Sequence, residues 1–529
     1  MRWRLAACFA LGLGSFAWAQ APKAAVPSTR FLLPESIETP PPRDEWRKHM
    51  PPDFEPRAAL PDHLAHACYL VPSNRVAQPH AIEKFQYNIL REQEYYRDQM
   101  ERFGFGPKTF EFEKEAGSDL PMIHVVHAPE VDSYYAADPW GRVPVAAQNA
   151  GLPVWSPGQV WRIIGEFHKV NPDGSVTGVW NGGSTYGSGD DAGLSVTCGL
   201  WLAMATADYL IDDRPYGGLV EPGVGPYPMV QNVTFGSLDG GTCSAVSSTA
   251  HGVLVHEAAH GFGVWHDYRN DANACGNLMY NGLRGMRGWA YPRRYLDNEC
   301  RLEYASALAL NVSRYFNGSR TYSDNVTPSV LIYTAGDVEP LEGQLHVHFA
   351  ASDAGGLAVA LLRKGGETVE EMPLSGTSAD QIFCTAWHDP GYSVDYTIAV
   401  YDIQGNHGDA TTTIVSRTGY NRAPKPFIRI RPSRTLSNEP VSMLANATTD
   451  PDDAASQLTV EWDMDGDGEF ETWPSTDKTC SRDCCDCGTT WIRARIVDPH
   501  GGWALSPPIG LRIDPVHVSA ARNGWNRYE

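Results

Sequence analysis

Apolar positions change their spacing several times along the chain, and each change marks an element. Leu64 to Val71 is a strand-like run in which Cys68 reads as a buried thiol. Ile82, Phe85, Ile89, Tyr96, Met100 and Phe103 then recur near helical spacing and stop at Gly104, which predicts a long amphipathic helix. Phe110 and Phe112 alternate with Glu111 and Glu113, and Met122 to Val126 reads as another strand, so sheet follows helix. Ser247, Ser248 and Thr249 offer an N-cap ahead of the apolar run Val253 to Val255. Leu302, Ala305, Leu308, Val312 and Tyr315 lie three or four apart behind Asp297 and Asn298 as caps, predicting a helix that ends by Asn317-Gly318.

Beyond Asn325 the texture becomes short alternating strands. Leu345, Val347 and Phe349 alternate with His346 and His348, which predicts an exposed polar face for the two histidines, and Tyr396 to Tyr401 is a further strand. A second stretch repeats this outline: Thr448-Thr449-Asp450 echoes Ala351-Ser352-Asp353, and Ile496-Val497-Asp498 with Gly501 echoes Val400-Tyr401-Asp402 with Gly405. Two tandem β-sandwiches are the expected outcome.

Ahead of all these elements, Arg2 and Arg4 precede an apolar stretch from Leu5 to Trp18, and Ala17-Trp18-Ala19 supplies a small-x-small cleavage site. Residues 1–19 therefore read as a secretory signal peptide and 20–60 as a Pro-rich leader or linker without cysteine, so the expected address is extracellular or periplasmic. No other run approaches about 18 uninterrupted apolar residues, and no membrane span is expected. The formal charge of −21 becomes −23 once Arg2 and Arg4 leave, which argues against nucleic acid or an anionic membrane as partner. Ten of the eleven cysteines remain after Cys8 leaves with the signal, in keeping with an oxidising compartment.

The candidate chemistry lies in residues 256–267, HEAAHGFGVWHD. On a helix, His256 and His260 project from one face a turn apart, and Glu257 points beside whatever they hold. A third ligand at His266 requires a sharp turn, for which Gly261 and Gly263 allow left-handed backbone. Three protein ligands with one position left for water is the arrangement of catalytic zinc, whereas structural zinc is closed by four side chains. Glu257 is then the general base.

HEAAHGFGVWH resembles the HExxHxxGxxH signature of the metzincin zinc endopeptidases, and Asn277-Leu278-Met279-Tyr280 looks like their methionine turn. Asp267 is similar to the adamalysin branch and the wording of the turn to the matrixin branch, so the subfamily stays open. The resemblance implies an α+β catalytic domain over 61–318, with a mixed twisted sheet, a long helix, the zinc helix and a C-terminal helix. It makes Met279 a hydrophobic floor under the metal. Two β-sandwich domains follow: residues 325–418 look like a bacterial immunoglobulin-like domain, 424–514 resemble the polycystic-kidney-disease type, and 515–529 is a tail. The implied function is a secreted zinc endopeptidase acting on protein or glycoprotein, its sandwiches binding a surface or polymer or acting as spacers. An adhesin or glycan-binding protein with a vestigial zinc site and a zinc amidase acting on cell wall are the competing readings.

Three further groups carry candidate chemistry. Asp463, Asp465 and Asp467 with Glu471 crowd oxygen ligands around Gly468, a calcium site or a solvated acidic turn; Asp190 and Asp191 sit in a Gly-rich loop, read as solvated. Cys275 with Cys300 is the first candidate disulfide and Cys198 with Cys243 the second, while Cys480, Cys484, Cys485 and Cys487 read as disulfide partners rather than zinc ligands.

Overall fold

The computed structural model describes residues 63–171, 176–186, 192–215, 220–221, 225–226, 242–271, 275–317, 325–333, 335–484 and 487–515. The expected signal peptide and leader, Asp190, Asp191, Cys485 and all but the first residue of the tail lie outside the described residues. The fold is mixed α+β with many β-sheets and few helices. No helix among the described residues is long and apolar enough to cross a membrane.

The first layer is a six-stranded sheet of β1 (Leu64–Pro72), β2 (Glu111–Phe112), β3 (Ile123–Ala128), β4 (Gln159–Gly165), β5 (Asn181–Tyr186) and β6 (Ala192–Cys198). Its order is β2-β1-β4-β6-β5, with β3 also paired to β1. Every pairing is parallel except β5 with β6. Parallel strands are covered on both faces, so β4 and β6 are buried almost end to end and Cys68 is an unbridged buried thiol in β1.

Helix α1 (Ala81–Arg102) is the long helix predicted from its periodicity, and Gly104 beyond it adopts the left-handed φ of 75°. It is tied to the sheet by a buried ion pair between Glu92 and Arg162 of β4. After α2 (Pro139–Asn149) comes α3 (Cys243–Gly261), which packs against β5 and β6. Its N-cap is Thr242, whose hydroxyl accepts a hydrogen bond from Ala245 N at 3.2 Å, so the predicted cap at 247–249 is corrected. Those three residues are buried inside the helix, where Thr249 Oγ1 donates to Ala245 O, Ser247 Oγ to Thr206 O and Ser248 Oγ to Arg284 O. Hydroxyls satisfied by carbonyls are compatible with a helix interior, which leaves composition a poor guide to the cap.

Strands β7 (Cys275–Asn277) and β8 (Glu299–Arg301) form a parallel pair in which Cys275 faces Glu299 and Cys300 faces Gly276. The two cysteines are thus one register step apart and point to opposite faces, so the expected disulfide does not form; Cys300 Sγ lies 3.6 Å from the Tyr95 hydroxyl instead. Cys198 and Cys243 are unbridged as well, as are Cys480 and Cys487. Because β8 occupies the segment after Asn298, helix α4 (Tyr304–Val312) starts later than predicted, with Glu303 at its N-cap.

Two sandwiches follow. The first packs the sheet β9-β11-β14 on β10-β16-β15-β12-β13, made of β9 (Ser329–Ile332), β10 (Gly336–Val338), β11 (Leu345–Ser352), β12 (Leu357–Lys364), β13 (Glu367–Pro373), β14 (Ser378–Thr385), β15 (Ser393–Asp402) and β16 (His407–Ser416). The second packs β17-β19-β21 on β18-β24-β22-β20 with β23 at its side: β17 (Arg429–Arg431), β18 (Arg434–Leu436), β19 (Pro440–Leu444), β20 (Thr459–Asp463), β21 (Thr479–Asp483), β22 (Gly488–Val497), β23 (Trp503–Leu505) and β24 (Ile509–Asp514). Their internal echo is physical: Asp402 Oδ1 accepts from Gln404 N and Asn406 N, and Asp498 Oδ1 accepts from His500 N and Gly502 N. His346 and His348 are half-buried on the outer face of β11, where His348 pairs with Asp380. Both sandwiches rest on the first layer, since Val359, Leu361, Ala399 and Tyr401 join its apolar core and Trp491 packs 4.8 Å from Tyr304.

The meeting of α3 with β5 has no room for a side chain. A Cβ on Gly183 would fall 2.2 Å from Glu257 O and 2.7 Å from His260 Cβ. Gly183→Ala therefore has to push the helix off the edge strand. Overpacking of this kind costs about 1–3 kcal/mol, or roughly 2–4 °C of melting temperature per kcal/mol in a domain of this size. Thermal unfolding of the full chain that showed no loss for Gly183→Ala would contradict this packing.

Candidate functional site

The last turns of α3 carry His256, Glu257 and His260, all buried or nearly so. The helix ends at Gly261, and the chain turns at Gly263, whose φ of 85° only glycine adopts without strain. Gly263 alone supplies the left-handed backbone expected of both glycines; Gly261 is the last helical residue and is kept small by Val160, 3.1 Å from where its Cβ would lie. Three residues on, His266 returns to the helix face.

The imidazoles converge in a defined state. His256 Nδ1 donates to Leu278 O and His260 Nδ1 to Val264 O, both at 2.8 Å. A carbonyl can only accept, so each Nδ1 carries the proton and each Nε2 presents a lone pair. His260 Nε2 faces His266 Nε2 at 3.2 Å, and one ligand atom from each of the three residues lies within 4.8 Å of the others. Tetrahedral ligands about 2.0–2.1 Å from a zinc ion stand about 3.3 Å apart, so this pair fits such an ion. Burial lowers the pKa of His256 to about 4 and of His266 to about 3, and that of His260 well below its usual value. All three are neutral at physiological pH, as ligands must be.

Glu257 is 3 % exposed, and its Oε1 accepts a 2.6 Å hydrogen bond from Asn181 Nδ2 at the start of β5. Burial pushes its carboxyl up to about 7, against the pull of the Asn181 amide. Met279 is fully buried, one residue after the carbonyl that orients His256, and its own N–H donates to Glu303 Oε1 at 2.6 Å. Asn277 Nδ2 donates to the carbonyls of Asp267 and Arg269, joining the methionine segment to the loop of His266. Tyr268 stacks on His266 and lies 4.2 Å from Tyr280 by ring centroids. Asn181 and Glu303 carried no signal in sequence, since each comes from an element remote from the motif.

The acidic residues Asp463, Asp465, Asp467 and Glu471 are also brought together, with oxygens within 4.8 Å of one another. The buried Asp463 carboxylate already accepts from Gly466 N at 2.7 Å and Gly468 N at 3.2 Å. A second acidic group, Asp450, Asp453 and Asp498, lies in the same sandwich. A cluster missed in sequence joins His66, Glu113 and His124 at the edge of the sheet remote from β5, where both imidazoles sit 2.7 Å from Glu113 Oε2. Hydrogen bonds from these histidines hold the Glu113 carboxyl down at about 2.

No sequence-family model matches the chain, and no curated protein matches it. Among solved structures it is similar to wild-type OgpA from Akkermansia muciniphila, at 13% identity and a TM-score of 0.41 over 69% of this chain and 97% of that one. It is likewise similar to catalytically inactive OgpA in complex with an O-glycopeptide substrate, glycodrosocin, at 14% identity and a TM-score of 0.40 over 69% and 96%. The fibronectin(III)-like modules of Clostridium thermocellum CbhA match 37% of this chain at 12% identity, with a TM-score of 0.16 and 99% of their own length covered. At TM-scores below 0.5 the functional reading rests on the geometry of the site.

Proposed function

We propose that this chain is a zinc-dependent endopeptidase of the metzincin kind, with His256, His260 and His266 as metal ligands and Glu257 as general base. The observation that carries it is the convergence of three neutral imidazoles, two of them with Nδ1 committed to backbone carbonyls, beside a buried carboxylate on the same helix. When bound, zinc acts as a Lewis acid that polarises a carbonyl and acidifies water. Glu257 takes the proton of the attacking water and returns it to the leaving amine. Asn181 holds the Glu257 carboxylate in place from β5. That strand pairs only with β6 among the described residues, so its outer edge suits an extended peptide adding as a further strand. Met279 is a buried floor rather than a ligand.

The same proposal takes residues 1–19 as an export signal, 61–318 as the catalytic domain, and 325–418 and 424–514 as immunoglobulin-like and polycystic-kidney-disease-like modules. Its substrates are proteins or glycoproteins.

Glu257→Gln removes the base but no ligand, so it should keep one zinc per chain and lose about 10² to 10⁴ in rate. His260→Ala should lose zinc and rate together. Metal content measured beside cleavage of casein, gelatin and an O-glycopeptide checks both, and a Glu257→Gln protein as fast as the parent would refute the assignment.

Calcium is proposed at Asp463, Asp465, Asp467 and Glu471, since carboxylates this close repel one another without a cation. Calcium at about a hundred times its Kd adds about 2.7 kcal/mol to stability. Calorimetry of the full chain should show the second sandwich melting higher in millimolar calcium, and Asp465→Asn with Asp467→Asn should abolish the shift. An equal shift in that double variant would refute the site.

A further inference from the structure

The loop that carries His266 is built into the first sandwich. His266 O accepts a 2.7 Å hydrogen bond from Thr368 N, and His266 forms a parallel bridge with Glu367, so β13 gains a short extra strand contact from the ligand residue itself. One residue before it, the Trp265 ring lies under the Arg363 guanidinium of β12 at 4.4 Å. Three residues after it, Arg269 is only 3 % exposed. Its guanidinium forks between the two domains: Nε and Nη2 donate to Asp267 at 3.1 and 2.7 Å, and Nη2 donates to Glu371 of β13 at 2.6 Å. Glu370 stands 3.6 Å from Nη1.

These contacts bracket the third ligand on both sides, and apart from Asp267 every partner comes from the sandwich. The bracket matters because His256 and His260 are fixed by their helix, whereas His266 lies beyond a glycine turn and depends on contacts outside the helix to hold it. We infer that the first sandwich is part of the metal site, and that Arg269, clamped between Asp267 and Glu371, is a positioning residue that sets the affinity of the triad for its ion through His266. A buried guanidinium fits this task because its rigid planar fork holds one carboxylate through two donors while it reaches a second, a fixed geometry that an ammonium lacks.

The inference rests on the proposed zinc site, and its deciding readout is the affinity for zinc. Full-length Glu371→Gln and Arg269→Lys are compared with the parent in chelator competition for zinc and in thermal unfolding. Ile398→Val, in the core of the same sandwich and away from Arg269, is the control. Loss of a group that orients a ligand typically weakens metal binding about 10- to 100-fold. Both clamp variants should bind zinc at least about tenfold more weakly and recover most of their peptidase kcat at saturating zinc. Ile398→Val should melt earlier with unchanged zinc affinity. If Glu371→Gln fails to fold, Arg269→Lys decides the matter. Clamp variants that bind zinc as tightly as the parent overturn the inference alone, and so does an Ile398→Val protein that loses zinc affinity as they do. A parent that takes up no zinc overturns the proposed function and this inference with it.

Discussion

Everything at the site depends on where two protons are kept. The Nδ1 hydrogens of His256 and His260 are committed to the carbonyls of Leu278 and Val264, and burial keeps the rings neutral, so the lone pairs on Nε2 have no choice of direction. The Nε2 of His266 stands 3.2 Å from that of His260. Imidazole nitrogens that converge in this way offer a cation a site for coordination. The surrounding structure reads as the means of holding this arrangement: a helix wedged on a glycine of the edge strand, a methionine segment that supplies the orienting carbonyl, and a sandwich strand that grips the loop of the third histidine.

Burial shapes the carboxylates as well. Glu257 is buried and pushed up to about 7, and Glu303 beneath Met279 is pushed up by burial to about 8. The two differ in what they meet: Glu257 lies on the helix of His256 and His260 with one amide donor, while Glu303 is committed to the backbone N–H of Met279. The first is the base of the proposed mechanism. The second braces the turn.

What the amino-acid sequence made legible follows from interaction range. The spacing of His256, Glu257 and His260 is local geometry, because a helix places i and i+4 on one face whatever surrounds it, and the turn to His266 was readable from Gly263. The long helix after β1 and the alternating strands of the sandwiches were visible for the same reason, since periodicity records burial along one element. Asn181, Glu303 and the Arg269–Glu371 clamp were not legible, because each joins segments far apart in the chain. Errors arose where one residue type serves two ends. Ser247, Ser248 and Thr249 look like caps but sit inside a buried helix and bond carbonyls of it and of its neighbours, and Cys275 with Cys300 are near in space yet on opposite faces of a strand pair.

The central claim is a single zinc ion on three imidazoles, and X-ray absorption at the zinc edge of the zinc-loaded full chain tests it most directly. The account predicts one zinc per chain with a first shell of nitrogen and oxygen at about 2.0–2.1 Å and outer scattering from three imidazole rings. A shell containing sulfur at about 2.3 Å, which would place the metal on cysteines, or a chain that takes up no stoichiometric zinc, would contradict it.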